Sequence, residues 1–144
     1  MNVLVLNGVN LDQLSRRDPS LYGGLSLNEL ERRIYEWAHA HDVTARCRQT
    51  NNEGDFVEWI HGAYGDADGV IVNPGAWSHY SWAIRDALEI LQVPIVEVHL
   101  SNILEREEWR RHSVLEDVVA HRVLGEGPDG YRSALEFLAG QAAT

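Results

Sequence analysis

The hydrophobic positions of this chain fall into two kinds of run that alternate along its length. Short, continuous runs of β-branched and aliphatic residues read as strands buried on both faces of a sheet. They are Val3 to Leu6, bounded by Asn7-Gly8, then about Val43 to Gln49, Gly69 to Asn73, and Pro94 to His99. Pro94 takes the first position of its run, which a strand tolerates. His121 to Gly125 is a weaker fifth run. Between these lie runs with helical spacing. Ser26-Leu-Asn-Glu29 is a capping box, in which the Ser26 hydroxyl accepts from the Glu29 amide and Glu29 reaches back. The helix that follows runs to about His41, with Leu27, Leu30, Ile34 and Trp37 or Ala38 on its buried stripe. A second spans about Asp55 to Tyr64, with Phe56, Trp59, Ile60 and Ala63 inward, and a third about Ser81 to Leu91, with Ile84, Leu88 and Leu91 inward. A short helical turn is expected near Glu105 to Arg111, and Tyr131 to Leu138 closes the chain as a helix.

Strands alternating with helices predict an α/β fold with a parallel sheet covered on both faces. Five strands fit a flavodoxin-like three-layer α/β/α arrangement in order 2-1-3-4-5, and right-handed crossovers follow from chain chirality. The 144 residues suit one domain, expected to span 1–144. They are too few for a (β/α)₈ barrel, which needs roughly 250.

Composition narrows the chemistry. All twelve basic residues other than histidine are arginines, and there is no lysine. A Schiff base and a phosphate-loop lysine are therefore closed, which leaves tyrosine, histidine, arginine and carboxylates. The net charge of −10 argues against nucleic acid but leaves room for a small anion held by a few arginines. Cys47 is the only cysteine, so no intramolecular disulfide forms, and a small buried apolar role is expected in its strand. The opening Met-Asn-Val-Leu-Val-Leu-Asn lacks a basic stretch and is too short to span a membrane, so a cytoplasmic protein is expected. The seven histidines form no ligand spacing, so no metal is expected. No Gly-x-Gly-x-x-Gly follows the first strand, which disfavours a dinucleotide.

Ligands of open parallel sheets bind beyond the carboxyl ends of the strands. Three of those ends carry polar groups here: Asn7-Gly-Val-Asn10, Asn73-Pro-Gly-Ala-Trp-Ser-His79, and Glu97-Val-His99-Leu100-Ser101-Asn102. The long loop from Gly8 to about Leu25 brings Arg16, Arg17, Asp18 and Tyr22, with Gly23-Gly24 available as a hinge, and taken alone reads either as a surface loop with solvated arginines or as a lid over the strand ends. Glu97 and His99 point to the same face, so the carboxylate fixes the imidazole tautomer and favours its protonated form, which suits a general acid, although a lone histidine at a strand end also reads as structural. His79 and Asp86 lie two turns apart and share one face, or else His79 caps the helix and Asp86 pairs with Arg85. Trp77, Tyr80 and Trp82 either wall the site or fill a subunit contact, with packing the favoured reading. Arg106, Arg110 and Arg111 fall on one short helix, with Arg106 and Arg110 as i, i+4 neighbours and Glu107 placed to pair with either Arg110 or Arg111, and a solvated ion-pair helix is the plain account.

Seven ordered blocks of the chain resemble the type II 3-dehydroquinate dehydratases. They are Leu6 to Leu11, Arg16 to Gly23, Gln49 to Gly54, Asn73 to Ala87, Glu97 to Asn102, Arg106 to Ser113, and the Gly125-x-Gly-x-x-Gly-Tyr131 segment. The resemblance implies a flavodoxin-like fold, dodecamers built from trimers, no cofactor, and dehydration of a small anionic cyclic substrate, 3-dehydroquinate, to 3-dehydroshikimate in the shikimate pathway or quinate catabolism. It implies that Tyr22 removes the C2 proton, that Arg17 stabilises the tyrosinate and the enolate, and that His99 protonates the departing C1 hydroxyl. It implies that Asn73, His79, Asp86, the Leu100-Ser101 backbone and Arg110 hold the substrate, with Asp86 supplied by a neighbouring subunit, and that Asn10 positions a water or Tyr22. Val9, Asp18, Thr50, and Ser78-His-Tyr80-Ser with its flanking Trp77 and Trp82 depart from the usual pattern. A binding protein that keeps the pocket without turnover, or a dehydratase of a related hydroxy-ketone acid, stands beside this reading.

The energies allow the tyrosine role. Ionising a phenol of pKa near 10 at pH 7 costs about 4 kcal/mol. A guanidinium roughly 4 Å away, at an effective dielectric of about 20, returns about 4 kcal/mol. The lid offers two, Arg16 and Arg17.

Overall fold

A computed structural model describes residues 1–142. Ala143 and Thr144, the end of the expected domain, lie outside the described residues. Five parallel strands, β1 (Asn2–Asn7), β2 (Thr44–Gln49), β3 (Gly69–Asn73), β4 (Ile95–His99) and β5 (His121–Leu124), form one sheet in the order β2-β1-β3-β4-β5. The helices are α1 (Pro19–Tyr22), α2 (Leu27–Ala40), α3 (Glu53–Ala63), α4 (Trp82–Ile90) and α5 (Asp129–Ala142). The architecture is the three-layer α/β/α sandwich that the pattern predicts.

Strand side chains alternate between faces, and the core divides accordingly. Val3, Val5, Ile71, Val96, Val98 and Val123 meet Leu30, Ile34 and Ala38 of α2 and Tyr131, Leu135 and Leu138 of α5. Leu4, Leu6, Val70, Val72 and Ile95 meet Phe56 and Ile60 of α3 and Ile84 and Leu88 of α4. Cutting Ile34 or Leu88 to alanine leaves a void costing roughly 2–5 kcal/mol. Helix starts follow the polar signals: Ser26, Asn52 and Ser81 each accept from a backbone amide of the first turn. Serine 81, not His79, caps α4. On α2 the stripe settles on Ala38, with Trp37 only partly buried. Cys47 packs half-buried against the α2 face, and burial pushes its thiol up to about 12.

Two segments differ from expectation. The loop after β1 is folded: a 3-10 helix at Leu11–Arg16 and α1 sit on it, and Leu11, Leu14 and Leu25 are buried beneath. The predicted helical turn at Glu105 to Arg111 is two separate 3-10 turns, Ile103–Glu105 and Glu108–Arg110, with Arg106 in extended backbone between them. The helical i, i+4 relation of Arg106 and Arg110 therefore fails, although both guanidinium groups stay near Glu107 Oε2, at 3.8 Å and 2.8 Å.

Candidate active site

The pocket forms where β1, β3 and β4 end. Asn7 and Asn73 are register partners, so the loops leaving them run side by side. Gly8 donates its N–H to the Asn73 carbonyl at 2.8 Å. A Cβ on Gly8 would lie 2.6 Å from the Pro74 carbonyl oxygen, so only glycine admits this approach. Gly75 answers from the other loop, with φ of +64° and the Val9 carbonyl oxygen 2.7 Å from where its Cβ would stand.

Beneath these loops the Tyr131 phenol of α5 donates to Asn7 Oδ1 and accepts from Asn73 Nδ2 at 2.9 Å. The phenol is fully buried, and burial raises its proton affinity well above the usual tyrosine value. Asn73 Oδ1 accepts from the Gly75 amide at 3.2 Å. One Nδ2 hydrogen then remains for a ligand.

On the β4 side, the Glu97 carboxylate has no exposed surface and His99 only 5%. His99 Nε2 lies 2.6 Å from Glu97 Oε2, as their alternate spacing predicts. The Ser113 hydroxyl lies 2.8 Å from Oε2 and 3.0 Å from Oε1. Burial acts to raise the Glu97 carboxyl, but the hydrogen bonds from His99 and Ser113 and the charges of His99 and Arg122 prevail and hold it below the ordinary carboxylate value. An ionised Glu97 makes Nε2 of His99 the donor, which leaves Nδ1 for the pocket.

His79 stacks on His99 with ring centroids 6.1 Å apart, and its Nδ1 lies 2.7 Å from the His112 carbonyl. That oxygen can only accept, so His79 carries its hydrogen on Nδ1 and offers Nε2 as an acceptor when neutral. Burial lowers its proton affinity, with the charges of His99 and Arg110 adding, against the His112 carbonyl and Glu97. Trp109 closes this wall edge-on at 5.4 Å, and Arg110 lies across the Trp109 ring at 4.0 Å while bonding Glu107 at 2.8 Å.

The opposite wall is α1. Asp18 caps it through the Ser20 amide, and Pro19 stands in its first turn. This presents the Tyr22 hydroxyl to two cations. Arg17 Nη2 donates to it at 2.7 Å with the guanidinium 3.9 Å from the ring centroid, and Arg106 Nη1 donates at 2.7 Å from the far side of the pocket. Arg106 also reaches Ser101 Oγ at 3.3 Å. The phenol oxygen therefore accepts an N–H from each of two guanidinium groups.

Tyr22, His99, Arg17, Asn73, His79, Leu100, Ser101 and Arg110 all line this one pocket, with Asn10 at its rim. The cavity is about 100 Å³, below the roughly 300–1,000 Å³ of drug-sized sites. Asp86 is not brought in. Its side chain is 76% exposed and its carboxylate lies 3.5 Å from Arg85, so the face shared with His79 does not form within this chain. The 3-10 turn before α4 breaks the periodicity that linked them. Arg16 points away as well, to Gln13 Oε1 at 3.1 Å, and Arg106 supplies the second guanidinium. Trp77 is buried against Phe56, whereas Tyr80 and Trp82 face outward. Arg106, Ser113 and Tyr131 escaped residue-by-residue reading. A basic residue shortly after the strand that carries His99 was the available signal for Arg106, and Ser113 offered none.

Residues 1–139 match a family model described as Dehydroquinase class II. The chain is 47% identical over 133 residues to a 3-dehydroquinate dehydratase of Halalkalibacterium halodurans, covering 92% of each chain. It is 44% identical over 144 residues to one of Pelotomaculum thermopropionicum, covering both in full. Among solved structures it is similar to a type II dehydroquinase of Propionibacterium acnes, with a TM-score of 0.93, 45% identity, and 96% of each chain covered.

Proposed function

The chain belongs to the class II dehydroquinase family, and from that premise we propose that it removes water from 3-dehydroquinate to give 3-dehydroshikimate. The proton leaves C2, next to the ketone, and the C1 hydroxyl departs as water by anti elimination through an enolate. The double bond forms between C1 and C2. Tyr22, as tyrosinate, takes the C2 proton. Arg17 and Arg106 stabilise that anion in the resting site, where both bond its oxygen. As the phenolate accepts the proton, the pair turns its charge to the developing enolate, the kind of preorganised field that stabilises transition states most. An arginine cannot lose its own proton to the base, so it supports Tyr22 without competing.

His99 delivers a proton to the C1 hydroxyl from Nδ1, with Glu97 holding Nε2. His79 offers an acceptor to a substrate hydroxyl, Asn73 one amide hydrogen, and Arg110 and the Leu100-Ser101 backbone receive the carboxylate. Asp86 completes the site from a neighbouring subunit in a dodecamer built from trimers, and its outward position beside the exposed Trp82 and Tyr80 supports this. The whole chain, 1–144, acts as one domain, in the cytoplasm, without a cofactor, in the shikimate pathway or quinate catabolism.

One observation carries the reading: a phenol bonded by two guanidinium groups on one wall of a pocket whose other wall is a histidine backed by a buried carboxylate. The test is ultraviolet detection of the conjugated enone when purified protein meets 3-dehydroquinate. Wild type forms it, and Tyr22→Phe loses about 10³-fold or more in kcat while its melting curve is unchanged. Near-full activity in Tyr22→Phe would falsify the role of Tyr22, and no enone from wild type would remove the function.

A further inference from the structure

Strand β5 lies at the edge of the sheet, and Arg122 pairs in register with Glu97. Register partners on parallel strands project to the same face, so the guanidinium comes to the carboxylate from the side away from the pocket. Its Nε lies 3.5 Å from Glu97 Oε1, and its Nη1 lies 3.6 Å from Glu116 Oε1. The Arg122 side chain is only 18% exposed. Among the described residues, Nε and Nη2 are buried without a hydrogen-bond partner. Leaving buried donors unsatisfied is costly. The arginine is therefore held near Glu97 by its charge, not by bonding geometry.

Glu97 meets that charge on one oxygen and His99 on the other, with Ser113 bridging both. We infer that Arg122 is a positioning residue which, by drawing on the field of Glu97, makes His99 release its proton to the departing hydroxyl more readily. A buried carboxylate facing histidine alone would hold the imidazolium tightly and make a poor acid. A second cation on the same carboxylate weakens that hold, as the depressed proton affinity of Glu97 agrees. The other charged groups around the pair are His79 stacked on His99, Arg110 beside His79, Arg17 and Arg106 across the pocket, and Glu116 behind Arg122. Of these, only Glu116 touches Arg122 from the solvent side, where it offsets part of its charge.

The inference rests on His99 being the acid, so the test measures the histidine and the reaction separately. Full-length protein carrying ¹³C-labelled histidine is titrated by NMR, and kcat for 3-dehydroquinate is followed against pH. In Arg122→Met the His99 midpoint rises by about half a unit or more, and the alkaline limb of kcat moves up equally. Arg122→Lys restores both, and KM stays within about twofold. Glu116→Gln, an exposed site that leaves the fold intact, moves the midpoint the opposite way. A His99 midpoint unmoved in Arg122→Met overturns the inference; should that variant not fold, an unmoved midpoint in Glu116→Gln does so. A midpoint that shifts while the kinetic limb stays in place upholds the action of Arg122 and instead removes His99 as the acid.

Discussion

The two walls of the pocket are built on different principles. The His99 wall belongs to the sheet: Glu97 and His99 sit on β4, buried, with Ser113 and Arg122 closing around them. The Tyr22 wall is a four-residue helix on a half-exposed loop, ended by Gly23 with φ of +87°. One side-chain hydrogen bond, from Arg106 to the Tyr22 hydroxyl, ties it across the pocket. In the proposed reaction an acid held in the sheet and a base carried on a loop have different jobs. On that proposal, an acid that backs away from the leaving hydroxyl loses the reaction, whereas a base on a surface loop is compatible with substrate entry ahead of closure. Damage to the two walls should accordingly differ, with stability and activity falling together on one side and activity alone on the other.

The sharpest contrast comes from His99→Ala set against Tyr22→Phe. We expect His99→Ala to lower kcat by about 10²–10⁴-fold and the melting temperature as well, because Glu97 loses its partner; equal melting temperatures for the two variants would erase the distinction between walls. Next in size is Glu97→Ala, which strands His99 and Arg122. Denaturant titration should show a loss of roughly 3–5 kcal/mol, the cost of breaking a buried ion pair from one side. Arg106→Met should lower kcat by about 10–100-fold with little change in unfolding, since it removes one of two cations from Tyr22. A parallel fall in stability would mean that Arg106 fastens the flap to the body.

The smallest effect is on acid stability. The folded-state proton affinity of Glu97 is depressed, so its contribution is fully present above the ordinary glutamate value of about 4.3 and is lost as pH falls through the lower folded value. His79 acts in the same direction: half-buried and poorer at holding a proton, it costs stability as pH drops below about 6.5. Urea midpoints from pH 7 to pH 3 should decline in two stages, and Glu97→Gln should flatten the more acidic one. An unchanged acidic stage would place the buried charge elsewhere.

Much of this was readable in the sequence because period and punctuation agree there. The β3 run ends at Asn73 ahead of Pro74, and the structure ends the strand at Asn73. The capping serine at 26 opens a helix whose apolar stripe is all on one side. The Glu97–His99 pair follows from two-residue spacing alone. Failures cluster where the backbone abandons a single period. Arg106 lies between two 3-10 turns, so no helical wheel could aim it at Tyr22. His79 sits in another such turn ahead of α4, which parts it from Asp86. Arg122 looked like an ordinary residue of a poor strand, because its importance comes from a neighbour 25 positions away in the register of the sheet.

The phenol of Tyr131 joins the first strand to the last helix across 124 positions of sequence. Until that helix docks, the amides of Asn7 and Asn73 have no shared anchor, so the floor of the pocket is among the last parts of the molecule that can mature. A nascent chain still missing residues 129–142 would carry every group assigned to proton transfer and yet present them unassembled, and such long-range closure belongs to the slow end of folding rates.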